Sequence, residues 1–134
     1  MKRALWLLAV AVPALCAPVL MPALAQSACM EPVPPTMPDG KTAPAADVRA
    51  AAEAVRTFVT QSDDYQKCLN DEYATTVKAG QAAAKEKKQP FDARTLNAGR
   101  EAKIAANQKK KEELGTAYGA TAAAYRQAHP PAPK

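Results

Sequence analysis

Residues that usually carry catalysis or metal binding are scarce in this chain of 134 residues. It has a single histidine, His129, which lies in a proline-rich C-terminal stretch, and only three cysteines. One histidine with so few cysteines does not make a zinc ligand set. No serine or threonine has a histidine nearby to activate it as a nucleophile. The sequence therefore predicts a protein that is not an enzyme and has no catalytic, cofactor-binding or metal site.

Large apolar side chains are equally scarce after residue 25, where leucine, isoleucine and phenylalanine occupy six positions. These are Phe58, Leu69, Phe91, Leu96, Ile104 and Leu114. A small chain with so thin a core is marginally stable unless a cross-link or a partner supports it.

The N-terminal segment has the three parts of a secretory signal. Two basic residues are followed by an uncharged, mostly apolar run over residues 4–15, and residues 23–25 read Ala-Leu-Ala before Gln26. This small-x-small pattern suits signal peptidase, so residues 1–25 are predicted to be a signal peptide. An uncleaved anchor is the alternative, but the proline-broken run is shorter than the ~20 residues of a bilayer span. We expect no transmembrane segment after cleavage.

Export determines how the cysteines behave. Cys16 leaves with the signal peptide, and Cys29 and Cys68 remain. In the bacterial periplasm or outside the cell, an even pair of cysteines is expected to form a disulfide, although two free thiols are the alternative.

The mature chain is predicted to be all-α, an antiparallel hairpin of two long helices. Four prolines make residues 26–43 an extended tail, with Thr42 as a candidate N-cap for the first helix. Residues 44–128 form the hairpin domain, with helix one at about 44–87 and helix two at about 93–128, where Asp92 can cap the start. Residues 129–134 are a second proline-rich tail. Three or four shorter helices, broken near Gly80 and near Gly115 or Gly119, are the alternative.

Both helices carry an apolar stripe at spacings of three and four, which favours packing as a coiled coil. In helix one the stripe includes Phe58 or Val59, Ser62, Tyr65, Leu69 and Tyr73. In helix two it includes Leu96, Arg100 or Lys103, Ile104, Asn107 and Leu114. Asn107 either pairs across the interface and fixes the register or is simply exposed.

The predicted disulfide clips the tail to helix one. Cys68 lies about 36 Å along that helix, and the tail from its Asp39-Gly40 turn back to Cys29 spans about 31 Å as polyproline. Because the lengths nearly match, the tail can fold back along the helix. Closing a loop of about 40 residues is worth roughly 4 kcal/mol on the loop-entropy argument.

Charge is divided unevenly along the chain. Residues 26–77 carry a net charge of −4, and residues 78–134 carry +7. In a hairpin, seven basic residues fall at or near the closed end, here called the cationic tip: Lys78, Lys85, Lys87, Lys88, Arg94, Arg100 and Lys103. They could contact an anionic surface or be ordinary solvated side chains. Without aromatic residues among the lysines, nucleic acid is not an expected partner.

Two elements carry a family resemblance: the opening Cys29-x-x-Pro32-x-Pro34-Pro35-x-x-Pro38-Asp39-Gly40 and Tyr65-x-x-Cys68-Leu69. With a later Ala106-Asn107-Gln108, they resemble a group of small secreted alphaproteobacterial proteins without an assigned activity. The resemblance implies export and the disulfide, but no chemistry. A fainter similarity, at Tyr65-x-x-Cys68 and Tyr118, is to periplasmic lysozyme-inhibitor-like domains.

These observations favour a non-catalytic structural or adaptor protein of the cell envelope, which pairs with itself or with an envelope protein. One alternative is an electrostatic binder of lipid, lipopolysaccharide or cell-wall glycan that uses the cationic tip. The other is a periplasmic inhibitor of a lytic enzyme.

Overall fold

A computed structural model describes residues 29–131 of the chain. Helix α1 runs over Ala45–Glu86 and helix α2 over Arg94–Ala128. Residues 29–43 precede them as an extended tail, and this described part contains no strand. The predicted signal peptide, residues 1–25, lies outside the described residues and stays a prediction.

The two helices pack against each other in opposite directions. Near the middle of the hairpin, the Asn107 amide donates to the Ser62 hydroxyl at 3.3 Å. Further along α1 but earlier in α2, the Arg100 guanidinium donates to the Asn70 side chain at 2.9 Å. As residue numbers increase along α1, the residue numbers of their partners in α2 decrease. The helices are therefore antiparallel, and the predicted all-α hairpin is confirmed. Coiled-coil packing stays a prediction.

Proline and aspartate set the starts of the helices. Pro44 is the N-cap residue of α1, and no side chain forms a capping hydrogen bond at this end of the helix. The expectation that Thr42 caps this helix is wrong, because its hydroxyl instead donates to the Asp39 carboxylate at 3.3 Å within the preceding turn. At α2 the N-cap residue is Ala93 rather than the predicted Asp92, but Asp92, one residue earlier, accepts the Arg94 backbone N–H at 2.9 Å. The hydrogen bond from the Arg94 backbone N–H lowers the pKa of the Asp92 carboxyl, and the hydrogen bonds from the Arg94 side chain lower it further, by a smaller amount.

Helix α1 ends in a Schellman motif at the closed end of the hairpin. The Gln89 N–H donates to the Ala84 carbonyl at 2.9 Å, and the Lys88 N–H donates to the Lys85 carbonyl at 3.2 Å. Such a motif needs a residue in the left-handed region, usually glycine. Here Lys88 takes that position, with φ 53°. A side chain in this conformation costs about 1–2 kcal/mol.

Neither helix breaks at a glycine, so the alternative of three or four shorter helices is excluded. Helix α1 passes through Gly80 and helix α2 through Gly115 and Gly119. Gly80 has a different role: a Cβ there would lie 2.2 Å from the ring of Phe91. The missing side chain therefore lets the connecting loop press its aromatic ring against α1.

The tail forms a third layer over the helices. The Cys29–Cys68 disulfide is present, with a Cα–Cα distance of 5.7 Å. The tail also contacts α2, since Lys110 pairs with Glu31 at 2.8 Å and the Thr121 hydroxyl donates to the Pro38 carbonyl at 3.1 Å. Residues 29, 32, 35 and 38 are all partly buried, which is the three-residue period of a polyproline helix lying on a surface.

The core is small and lies beneath this tail. Its largest apolar members are Phe58, Tyr65, Leu69 and Leu114, each at most 7% exposed. Leu96 was expected on the same stripe but is 41% exposed. It lies closer to the hairpin tip than the level at which Cys29 bonds to Cys68, so no part of the described tail covers it. Within residues 29–131, neither helix has an apolar stretch able to cross a membrane.

Gly40, in the turn between the tail and α1, provides a test of how tightly the tail packs. A Cβ at Gly40 would lie 2.0 Å from the Thr121 carbonyl oxygen. Gly40→Ala should therefore lower the free energy of unfolding by about 1–3 kcal/mol, as overpacking does. Urea denaturation followed by circular dichroism measures this.

The matched control is Gly115→Ala, because Gly115 is in the interior of α2 with no heavy atom within 4 Å of the added Cβ. This change should stabilise the protein by about 1 kcal/mol. Equal effects of the two substitutions would contradict the close contact between turn and helix.

Candidate functional site

Six of the seven residues of the cationic tip are exposed. Lys85, Lys87, Lys88 and Arg94 lie in or beside the loop that joins the helices, at residues 87–93. Lys78 is about 12 Å before the end of α1, and Lys103 is about 14 Å into α2. The hairpin therefore gathers residues from two distant stretches of sequence at one end.

The lysines of the tip differ from those at mid-hairpin in their pairing. Lys109, Lys110 and Lys111 each lie within 3.7 Å of a carboxylate. Among the described residues, none of the five lysines of the tip has a carboxylate within 4.0 Å. Of the four basic residues in or beside the loop, Arg94 alone forms an ion pair within the described part of the chain, with Asp92 at 3.0 Å. The five lysines of the tip therefore carry positive charge that no ion pair among the described residues offsets.

Arg100 is placed differently from the other six. Its guanidinium lies 4.6 Å from the centre of the Tyr73 ring and bonds to Asn70 and Asn97. The side chain is 24% exposed. Arg100 therefore belongs to the interface between the helices, where the stacked ring and the two amides hold it.

A buried polar layer lies at the middle of the same interface. Asn107 and Ser62 are both fully buried. Asn107 donates to Ser62 at 3.3 Å and accepts from the Gln66 amide at 2.8 Å. Of the two alternatives for Asn107, the structure shows the paired one. Sliding one helix along the other would leave these groups buried without partners, so the layer fixes the register.

An open cleft of about 230 Å³ lies between the helices on the tip side of this layer. Its walls are mixed: Leu69, Tyr73 and Leu96 supply apolar surface, and Arg100 and Lys103 supply positive charge. The cleft lies beside the first described residue of the tail, since Glu72 lines the cleft and its carboxylate is 3.5 Å from the Cys29 sulfur.

The tail changes the environment of Tyr65. Burial raises the pKa of its phenol above the ordinary value of 10.0, and the negative charge of Glu31 in the tail raises it further. The phenol therefore stays neutral to higher pH than a free tyrosine does.

Two features of this region were not predicted. Gln66 does not lie on the apolar stripe predicted for helix one. Only the position of α2 identifies its amide as a partner of Asn107. The contact of the tail with α2 had a usable signal, because Cys29, Pro32, Pro35 and Pro38 repeat every three residues. That repeat marks one side of a polyproline helix.

No family model, curated protein or solved structure matches this chain. The resemblance to small secreted alphaproteobacterial proteins therefore stays a prediction, and the residues themselves carry the functional argument.

The polar layer leads to a stability prediction. Asn107→Ala should lower the free energy of unfolding by about 1–3 kcal/mol, because it leaves the buried Ser62 hydroxyl and the half-buried Gln66 amide without their partner. The control is Gln108→Ala, since within residues 29–131 the exposed Gln108 side chain bonds only to Glu112, at 3.4 Å. That change should stay within about 0.5 kcal/mol. Equilibrium denaturant unfolding of both variants measures these free energies. An Asn107→Ala variant as stable as the unaltered protein would contradict the role of the polar layer in fixing the register.

Proposed function

We propose that this protein is a non-catalytic binding protein of the bacterial cell envelope that attaches to anionic lipid surfaces through its cationic tip. The proposal combines the predicted export with the position of the lysines at one end of the hairpin. Anionic headgroups attract clustered lysines by about 1 kcal/mol per side chain near the surface.

The pairing of the lysines is the observation that carries the proposal. Lys109, Lys110 and Lys111 each lie within 3.7 Å of a carboxylate of the same chain, which supplies a nearby counter-charge. The lysines of the tip have no such partner among residues 29–131. A phosphate-rich surface would supply the missing counter-charge without breaking an existing ion pair.

The backbone at Lys88 gives further support. Its left-handed conformation would be more favourable with glycine, which has no Cβ. A lysine at this position sacrifices stability to hold a charge at the apex of the hairpin. Such local departures from optimal stability are typical of functional sites.

Lys88→Gly separates binding from folding. The variant should unfold at a higher urea concentration, with a gain of about 1 kcal/mol, because the strained side chain is gone. It should nevertheless bind vesicles containing phosphatidylglycerol about fivefold more weakly, since one headgroup contact is lost. Cosedimentation of the disulfide-bonded protein with these vesicles at low salt measures the affinity.

Two neighbouring substitutions act as controls. Lys87→Gln should weaken binding to a similar extent without the gain in stability, whereas Lys109→Gln should leave binding unchanged. Binding by the unaltered protein should decrease at high salt and be absent for vesicles of phosphatidylcholine alone. Equal binding to both kinds of vesicle, or binding that is indifferent to salt, would reject the proposal.

A further inference from the structure

The Cys29–Cys68 disulfide lies near the surface of the protein rather than in its core. Both cysteines are half-buried, and both line two open depressions, one on the side of Thr75 and the other on the side of Tyr65. The depressions give small molecules in solution access to this bond. Because burial does not protect the disulfide, the chemistry around the two sulfurs determines how readily it is reduced.

Carboxylates surround the disulfide. On α1, Asp64 and Glu72 lie four residues before and four residues after Cys68, so the three share one side of the helix. Within residues 29–131, four carboxylates and one ammonium group line the two depressions: Glu31, Asp64, Lys67, Asp71 and Glu72. The surroundings of the disulfide are therefore negative, although the whole chain has a net charge of +5.

Reduction of a disulfide by thiols takes two exchange steps. A thiolate attacks one sulfur and forms a mixed disulfide, while the electron pair of the broken S–S bond leaves on the other sulfur, which then takes a proton from water. A second thiolate attacks the mixed disulfide in the same way and releases the remaining cysteine. Two thiols are thereby oxidised to one disulfide, and both cysteines become thiols.

The Glu72 carboxylate opposes the first of these steps whichever sulfur is attacked. A thiolate that attacks Cys29 brings its negative charge toward a carboxylate oxygen that is 3.5 Å from this sulfur. When the thiolate attacks Cys68 instead, the departing electron pair places a negative charge on Cys29, beside the same carboxylate. Like charges repel at this distance, so both routes are slowed.

We propose that Glu72 selects by charge which thiols reduce the Cys29–Cys68 disulfide and so release the tail. Anionic thiols, glutathione among them, reduce it slowly. A thiol that carries a positive charge beside its sulfur reduces it faster, because that charge offsets the carboxylate. The partner that opens this disulfide is therefore a thiol or dithiol flanked by cationic groups. This inference does not depend on the proposed attachment to lipid surfaces.

Three reductants with the same two-carbon chain test the selection: anionic 2-mercaptoethanesulfonate, neutral 2-mercaptoethanol and cationic cysteamine. Alkylation and mass spectrometry of the cysteine peptides measure the reduction rate of the disulfide-bonded protein. Comparing Glu72→Gln with the unaltered protein for one thiol at a time cancels the differences in intrinsic reactivity between thiols. At about 0.1 M salt, the variant should be reduced about fivefold faster by mercaptoethanesulfonate and less than about twofold faster by cysteamine.

The matched control is Glu53→Gln, which makes the same change in charge on the same helix. Glu53 lies 15 residues before Cys68, or about 22 Å along α1. This is more than twice the screening length of about 10 Å at 0.1 M salt, so all three rates should stay unchanged. Equal acceleration of Glu72→Gln by all three thiols would indicate only a loosened tail and would overturn the proposal.

The salt dependence of the unaltered protein tests the same claim without any substitution. Repulsion by the carboxylates predicts that reduction by mercaptoethanesulfonate becomes faster as salt is added, because the like charges are screened. Attraction by the net positive charge of the chain predicts the opposite. A rate that decreases with salt, or one that does not change, would overturn the proposal even if Glu72→Gln failed to fold.

Discussion

The covalent bond between Cys29 and Cys68 holds an otherwise extended tail against a pair of helices that bury little apolar surface of their own. Closing this loop removes conformational freedom from the unfolded chain, by an amount equivalent to roughly 4 kcal/mol. The small domain has few large apolar residues, so this contribution is comparable with its whole expected stability. Burial of Tyr65, the ion pair between Glu31 and Lys110, and the position of Met30 all depend on the tail staying in place.

Polar contacts give this thin core its specificity. Alanine-rich helices can slide along each other at small cost, because one small side chain replaces another. The layer of Ser62, Gln66 and Asn107 allows one register, and the stacking of Arg100 on Tyr73 reinforces it nearer the tip. In that register Lys111 meets Asp63, and the charge difference between the two halves of the sequence is partly cancelled at mid-hairpin. What remains uncancelled is the positive charge near the loop.

The sequence was sufficient to predict the helices and the disulfide, since prolines limit where helices can start and only two of the three cysteines lie outside the predicted signal peptide. The sequence did not determine where the Arg100 side chain lies, because the helical periodicity allowed either Arg100 or Lys103 to face the partner helix. Only the position of the Tyr73 ring decides between the two. The exposure of Leu96 was equally hidden. Helical spacing places it on the apolar stripe, but whether it is buried depends on which segments pack over it, which is a property of the assembled fold.

The most direct test of this account compares the oxidised protein with a Cys29→Ala, Cys68→Ala variant by equilibrium urea unfolding. If the clipped tail supports the hairpin, the variant should lose about 4 kcal/mol of unfolding free energy. The pKa of Tyr65 should also fall back toward 10.0 as the tail leaves it. A variant as stable as the oxidised protein, with an unchanged Tyr65 titration, would show that the helices hold together without the clip and would contradict the account.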